Sequence, residues 1–283
     1  MAPAWLFGAV VAAAVFCVMF GIGLGLAPGD VRRAWRASGP VLRGLFAVLV
    51  AVPVLALVIV RALGLPAFAQ VGIVLMAIAP GAPVALRRSL DASGRAAFAP
   101  ALQICVALLA VLALPLSIAA LDALYALDAQ VAPAEVMGQI LFAQLAPLGL
   151  GVAARRFFPR PAALTEPHIA RLGSFLLVAT VVLGLAQLGQ ATLEAGAPVL
   201  AAIALVTSAA LAAGHVLGGP GAETRTSVAI ISAARNPGLA LLVATLNAAP
   251  PAVTATILAY VVVSALVITP YAFWRHRLGA LAR

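Results

Sequence analysis

Long apolar runs separated by short polar intervals set the pattern of this chain. Nine stretches carry almost no charge: about 5–26, 41–63, 67–86, 96–120, 134–153, 171–190, 197–217, 226–247 and 251–273. A helix needs about 20 apolar residues to cross a bilayer. The runs are continuous, not alternating, which excludes a β-barrel. The pattern predicts an all-α polytopic membrane protein with about nine transmembrane helices.

Two runs are interrupted. The stretch TSVAIISAARNPGLALLVATL, residues 226–246, holds Arg235, Asn236, Pro237 and Gly238 at its middle. The third run stays apolar to Ala79 and then reads Pro80-Gly81-Ala82-Pro83. Proline followed by glycine breaks the i→i−4 ladder and frees backbone polar groups. Irregular backbone at membrane depth survives only when buried in protein or lining a wet cavity. Pro80, Gly81, Pro237 and Gly238 are therefore expected to be non-helical. Interrupted segments at corresponding places in two halves point to inverted repeats, with two broken helices crossing near the midplane. The half-helix N-termini there suit an anionic ligand. A proline that merely kinks a membrane helix is the plainer alternative.

Composition agrees with the span pattern. The chain of 283 residues is 65% hydrophobic and 9% charged, with mean hydropathy +1.17. Water-soluble domains carry about 25% charged residues. All 17 basic residues are arginine, against 8 acids. The net charge of +9 does not indicate nucleic acid, because the arginines cluster in short loops. Fifteen of the 17 fall in loops after odd-numbered runs: Arg32, Arg33, Arg36 and Arg43; Arg87, Arg88 and Arg95; Arg155, Arg156, Arg160 and Arg171; Arg225; and Arg275, Arg277 and Arg283. Arg61 falls on the other side and Arg235 inside a run. The positive-inside bias places the N-terminus outside and the C-terminus in the cytoplasm. The loop with Asp122, Asp128 and Glu135 is then extracytoplasmic. The start lacks a signal peptide's basic region, so 5–26 is expected to be a retained helix.

Loops and small motifs add little. Pro28-Gly29-Asp30 and Gly218-Gly219-Pro220-Gly221 read as turns, and 154–170, with Pro159, Pro161 and Pro167, as a basic linker. Gly21 and Gly25 form a GxxxG spacing suited to close helix packing. Cys17 and Cys105 lie inside apolar runs and imply neither disulfide nor metal site. His168, His215 and His276 stand at run edges without metal spacing.

The candidate chemistry centres on Arg235, nine residues from Thr226 and so roughly 14 Å along a helix. A cation at that depth costs at least about 2.5–3.5 kcal/mol. None of the 8 acids lies in a run interior, so carbonyls, water or a ligand must meet the charge. A guanidinium fork matches a carboxylate or sulfonate with two hydrogen bonds. Asn236 would add an amide or cap the second half-helix. Ser232 is one turn earlier on the same face. Gln103, Gln139 and Gln144 read as interhelical polar contacts, with Gln103 also a candidate ligand group. The substrate-binding set is Arg235, Asn236, Pro80, Gly81, Pro237, Gly238, Ser232 and Gln103. No catalytic residue, metal or cofactor is expected.

The segments CVMFGIGLGL, VLRGLFAVLVAVP, GIVLMAIAPGAPVALRRSLDASGRAAFAPAL and AIISAARNPGLALLVA resemble the bile acid:sodium symporter family of ten-helix inverted-repeat transporters. The resemblance spans nearly the whole chain and implies a nine-helix variant lacking the family's first helix. It implies a panel of about 5–26 and 134–190, and a core of about 41–120 and 197–273. It also exposes departures. The family's Gly-Gly-Thr-Ala-Ser-Asn run, which helps bind sodium, is matched by Gly81, Ala82, Pro83, Val84, Ala85 and Leu86. Further ligand positions fall on Ala99, Gln103, Ile231, Val48 and the Arg235–Asn236 pair. Apolar side chains offer sodium no oxygen.

The expected function is a secondary transporter or facilitator of a small organic anion in a bacterial cytoplasmic membrane. It works by alternating access and without sodium coupling. An efflux carrier for an oxyanion or weak acid is the alternative. A membrane-embedded enzyme or sensor is disfavoured by the lack of a His/Glu cluster, intramembrane acid or effector domain.

Overall fold

The computed structural model describes residues 4–26, 38–81, 83–94, 98–125, 133–194 and 196–281. Every regular element among them is helical. In chain order these are α1 (Ala4–Gly25), α2 (Ser38–Phe46), α3 (Val52–Ala62), α4 (Ala67–Ile78), α5 (Pro83–Asp91) and α6 (Ala99–Tyr125). They continue as α7 (Pro133–Phe157), α8 (Pro159–Glu194), α9 (Gly196–Leu217), α10 (Ala222–Ala233), α11 (Pro237–Leu246) and α12 (Pro251–Leu281). A π-helical turn, Ala47–Ala51, joins α2 to α3 without a gap. The Pro28-Gly29-Asp30 turn, Arg32, Arg33, Arg36, Arg95, Asp128 and Arg283 lie outside the described residues.

Among the described residues, seven segments are long and apolar enough to cross a membrane: Leu6–Gly25, Gly39–Ala62, Ala99–Ala119, Pro159–Leu188, Gly196–Leu217, Ala222–Leu246 and Pro251–Leu281. This is a multi-pass membrane architecture. The other two expected runs are also helical. Run 67–86 is divided between α4 and α5, and run 134–153 lies within α7.

Three local expectations change. The stretch 154–170 is not a linker: α7 and α8 are separated by Phe158 alone. Pro159 and Pro161 fall in the first turn of α8, where a missing N–H breaks no helical bond, and Pro167 is carried inside that helix. The last helix runs beyond 273 to Leu281, because nothing in WRHRLGAL stops it. The tightest contact of α1 is at Gly23, not at the GxxxG pair. A Cβ on Gly23 or on Gly151 of α7 would lie 2.9 Å from the other's Cα. Backbones meet there, and such close approach is what packs helices in lipid.

α1 packs most extensively against α8 and α7. The remaining helices gather around α9 and α12: α9 lies against α10, α12 and α3, and α12 against α8, α4 and α9. One buried apolar cluster joins α1, α4, α9, α11 and α12 through residues such as Val15, Ile73, Ile203, Leu239 and Tyr260. A second joins α2, α6, α10 and the π turn through Leu45, Val48, Leu102 and Ile231. The breaks lie between the two.

One end of the bundle collects arginines. Arg225 Nε donates to the Gly219 carbonyl at 2.5 Å, and the Arg43 guanidinium packs against Gly219. From α12, Arg275 donates to Thr226 Oγ1 and to the Ala222 carbonyl, both at 2.8 Å. His276 Nδ1 lies 2.7 Å from the Asp91 carbonyl. This end therefore unites α2 and the start of α10 with the ends of α5, α9 and α12.

Candidate functional site

The interrupted spans unwind where proline and glycine stand, and the unwound segments bond to each other. α4 ends at Ala79 (φ −99°, ψ 82°), Pro80 is non-helical, and Gly81 takes φ +81°, a left-handed value that favours glycine. α10 ends at Ala233, and Ala234 (φ −79°, ψ 104°) is extended. The Asn236 N–H donates to the Ala79 carbonyl at 2.9 Å. One orphan donor of one break thus satisfies an orphan acceptor of the other, as a water-poor interior demands.

The second break is displaced from its expected place. It occupies 234–236, and Pro237 and Gly238 already form the first turn of α11. Proline is pre-organised for the first helical position and has no N–H to leave unpaired there. Asn236 caps that helix: its Oδ1 accepts from Gly238 N at 3.1 Å and from Leu239 N at 3.4 Å. Its side-chain oxygen is therefore committed to the helix end. Gly238 has Val15 of α1 and Leu177 of α8 beside it.

Arg235 is 4% exposed. Its Nη1 and Nη2 each donate at 3.1 Å to one oxygen, the Val48 carbonyl in the π turn of another span. Its Nε meets no acceptor among the described residues. A guanidinium has five N–H groups, so the carbonyl uses a minority of them. A carbonyl from the second span, and not one freed at the opposite break, holds the charge.

The other candidates gather unequally. Gln103 of α6 lies against Gly81, with its Nε2 3.8 Å from the place a Cβ would occupy. Ser232 is fully buried, and its hydroxyl meets no partner among the described residues. Tyr260 of α12 was not singled out by sequence. It is fully buried and within electrostatic reach of Arg235, with its hydroxyl beside Thr207 of α9 but without a hydrogen bond of good geometry. A tyrosine deep in a span, away from the interfacial belt where tyrosines concentrate, is the signal that could have found it. The Val48 oxygen leaves no mark on its own residue's identity, because it is a backbone atom.

Of the positions that correspond, by resemblance, to sodium ligands, Gln103 brings an amide beside Gly81, and four others come together. Val48, Ala85, Ala99 and Ile231 are each fully buried and belong to one apolar cluster with Leu102, Cys105 and Ala234. Their side chains bring methyl and methylene groups to the place, and no oxygen.

Comparison with known proteins agrees with this architecture. Residues 12–195 match the Sodium Bile acid symporter family. The chain is 30% identical over 171 residues to the uncharacterized sodium-dependent transporter YocS of Bacillus subtilis (strain 168), a match covering 59% of this chain and 52% of the relative. The chain thus spans about half the length of that curated relative.

Proposed function

This chain belongs to the sodium bile acid symporter family, and from that premise we propose that it carries a small organic anion across a bacterial cytoplasmic membrane without sodium coupling. The observation that carries the reading is the buried guanidinium of Arg235. It stands at the junction of two unwound helices, and among the described residues a single neutral oxygen is its hydrogen-bond partner. A carboxylate or sulfonate would add the charge and the second oxygen that the fork accommodates.

Nine spans in inverted repeats, with the N-terminus outside and the C-terminus inside, are supported by the arginine distribution and by the paired breaks. α1, α7 and α8 would form a panel against which the remaining helices rock, exposing the junction to each side in turn. Arg235 takes the electrostatic part that a bound cation has elsewhere in the family. The relative's name says sodium-dependent; here most of the corresponding side chains are apolar, Gln103 and Asn236 are the two that carry an oxygen, and the Asn236 oxygen is spent on the helix cap.

The test is a thermal-shift and binding series on purified protein with acetate, succinate and ethanesulfonate as choline salts, repeated with sodium at constant ionic strength. The expected result is a saturable shift with at least one anion, unchanged by sodium. Arg235→Gln should weaken affinity about 10- to 150-fold, the equivalent of the roughly 1.5–3 kcal/mol of a charged hydrogen bond. A shift that requires sodium, or one that survives Arg235→Gln undiminished, overturns the proposal.

A further inference from the structure

The Val48 carbonyl is free to bind Arg235 because of a proline five residues on. In an α-helix that oxygen would accept from the N–H of Val52. Here Val52 N–H instead bonds Ala47 O, one residue further back, as the π turn dictates. The next N–H in that register would belong to residue 53, and residue 53 is proline, which has none. The oxygen is fully buried with its residue, where water cannot replace the missing donor. Both terminal nitrogens of Arg235 converge on it at 3.1 Å. Two prongs on one oxygen is half of the geometry that a carboxylate offers them.

We infer that the Val48 carbonyl is a resident ligand that holds Arg235 while the carrier is empty and that an arriving anion displaces, with Pro53 as the positioning residue that keeps this carbonyl available. The inference rests on the anion reading of Arg235 and adds a competitor to it. When an anion takes the fork, Val48 O loses a donor that its own helix cannot replace. Occupancy of the site is thereby linked to the second span, whose π turn must adjust or give up its hydrogen bond. Pro53 sets the strength of that competition and so tunes affinity without touching the substrate.

Replacing Pro53 tests both halves. Pro53→Ala supplies an N–H that can reach Val48 O in the π register and release Arg235. Without any ligand, a double-mutant cycle on melting temperature should then show coupling. Arg235→Met alone orphans the carbonyl and lowers the melting temperature; in the Pro53→Ala background the loss should fall to half or less. If Arg235→Met cannot be purified alone, recovery of folded protein from the double variant counts as the same rescue, and equal failure of both overturns the inference. Additive losses also overturn it. They leave the anion reading intact, because no anion enters that cycle.

With acetate, succinate and ethanesulfonate as probes, Pro53→Ala alone should bind about three- to tenfold more tightly, since one hydrogen bond no longer competes. A proline of merely structural importance would leave affinity unchanged or weaken it. Coupling in the melting cycle with no tighter binding of any probe shows a structural tie that no anion displaces, and overturns the resident-ligand role.

Discussion

Adding a single methyl at Gly238 should separate the two groups of helices that meet beside the site. A Cβ there would lie 2.9 Å from Leu177 Cδ1, 3.2 Å from Asn236 Oδ1 and 3.4 Å from Val15 Cγ2. Carbon atoms rest at about 3.5–4.0 Å, so the shortfall against Leu177 is on the order of 0.6–1 Å. The Leu177 methyl is the end of a flexible side chain and can turn away, at about 0.5–1.5 kcal/mol for a non-ideal rotamer. Asn236 Oδ1 cannot retreat as cheaply, because it caps Gly238 and Leu239. Asn236 travels with α11 in either arrangement, so only the roughly 0.5–1.5 kcal/mol at Leu177 is charged to the one in which α11 touches α1 and α8.

If rocking of the carrier parts these surfaces, that cost shifts the two-state balance about 2- to 13-fold toward the parted state. Hydrogen exchange read by mass spectrometry is the assay. Peptides covering 236–242 and 173–178 should exchange faster in Gly238→Ala by that factor, while peptides across the Gly23–Gly151 contact stay unchanged. Gly149→Ala, where a Cβ meets nothing within 4 Å, is the control. Uniformly faster exchange together with a lowered melting temperature would refute the reasoning, since it would mean general loosening instead of a shift between two arrangements.

Two further outcomes follow from packing and burial. Gly151→Ala should lower the melting temperature, because its Cβ would meet the Phe20 carbonyl and lie 2.9 Å from Leu24 N. Such overpacking costs about 1–3 kcal/mol, and an unchanged melting curve would show that α1 and α7 yield freely. Gln144→Met should raise the melting temperature. Gln144 is fully buried with neither amide atom bonded among the described residues, and each such orphan costs about 1–3 kcal/mol. A fall in stability instead would mean that the amide holds a water or a ligand.

Much of the helical framework was legible because span length and proline–glycine punctuation are strong local signals. Pro80-Gly81 and Pro237-Gly238 marked both breaks to within a few residues. The second was placed late because proline starts a helix as readily as it stops one, and Asn236 ahead of it had the chemistry of a cap. Pro159 and Pro161 misled in the same way, reading as linker where they open α8. The candidate site was legible as a place and less so as a set of contacts. Arg235 stood out by charge and depth, whereas its partner is a main-chain oxygen that a π turn and Pro53 jointly set free. The π turn leaves no pattern in the side chains near Val48, and Pro53 by itself marks that an upstream carbonyl is freed but not which partner takes it. Gly23 was overlooked for a neighbouring motif because which glycine faces a partner depends on how the helices lie, not on spacing alone.

α12 has 31 residues, roughly 46 Å of helix, and outruns the roughly 30 Å hydrocarbon layer. Its surplus acts as a crossbar. One turn of it carries Arg275, tied to the start of α10, and His276, tied to the end of α5. The outer tips of the two broken spans are thus tied to one turn of the same helix at that end. Bending that reshapes the interior must then be taken up elsewhere along those spans. The unwound residues 79–81 and 234–236 are the compliant links on offer there, and they lie at the junction where Arg235 sits.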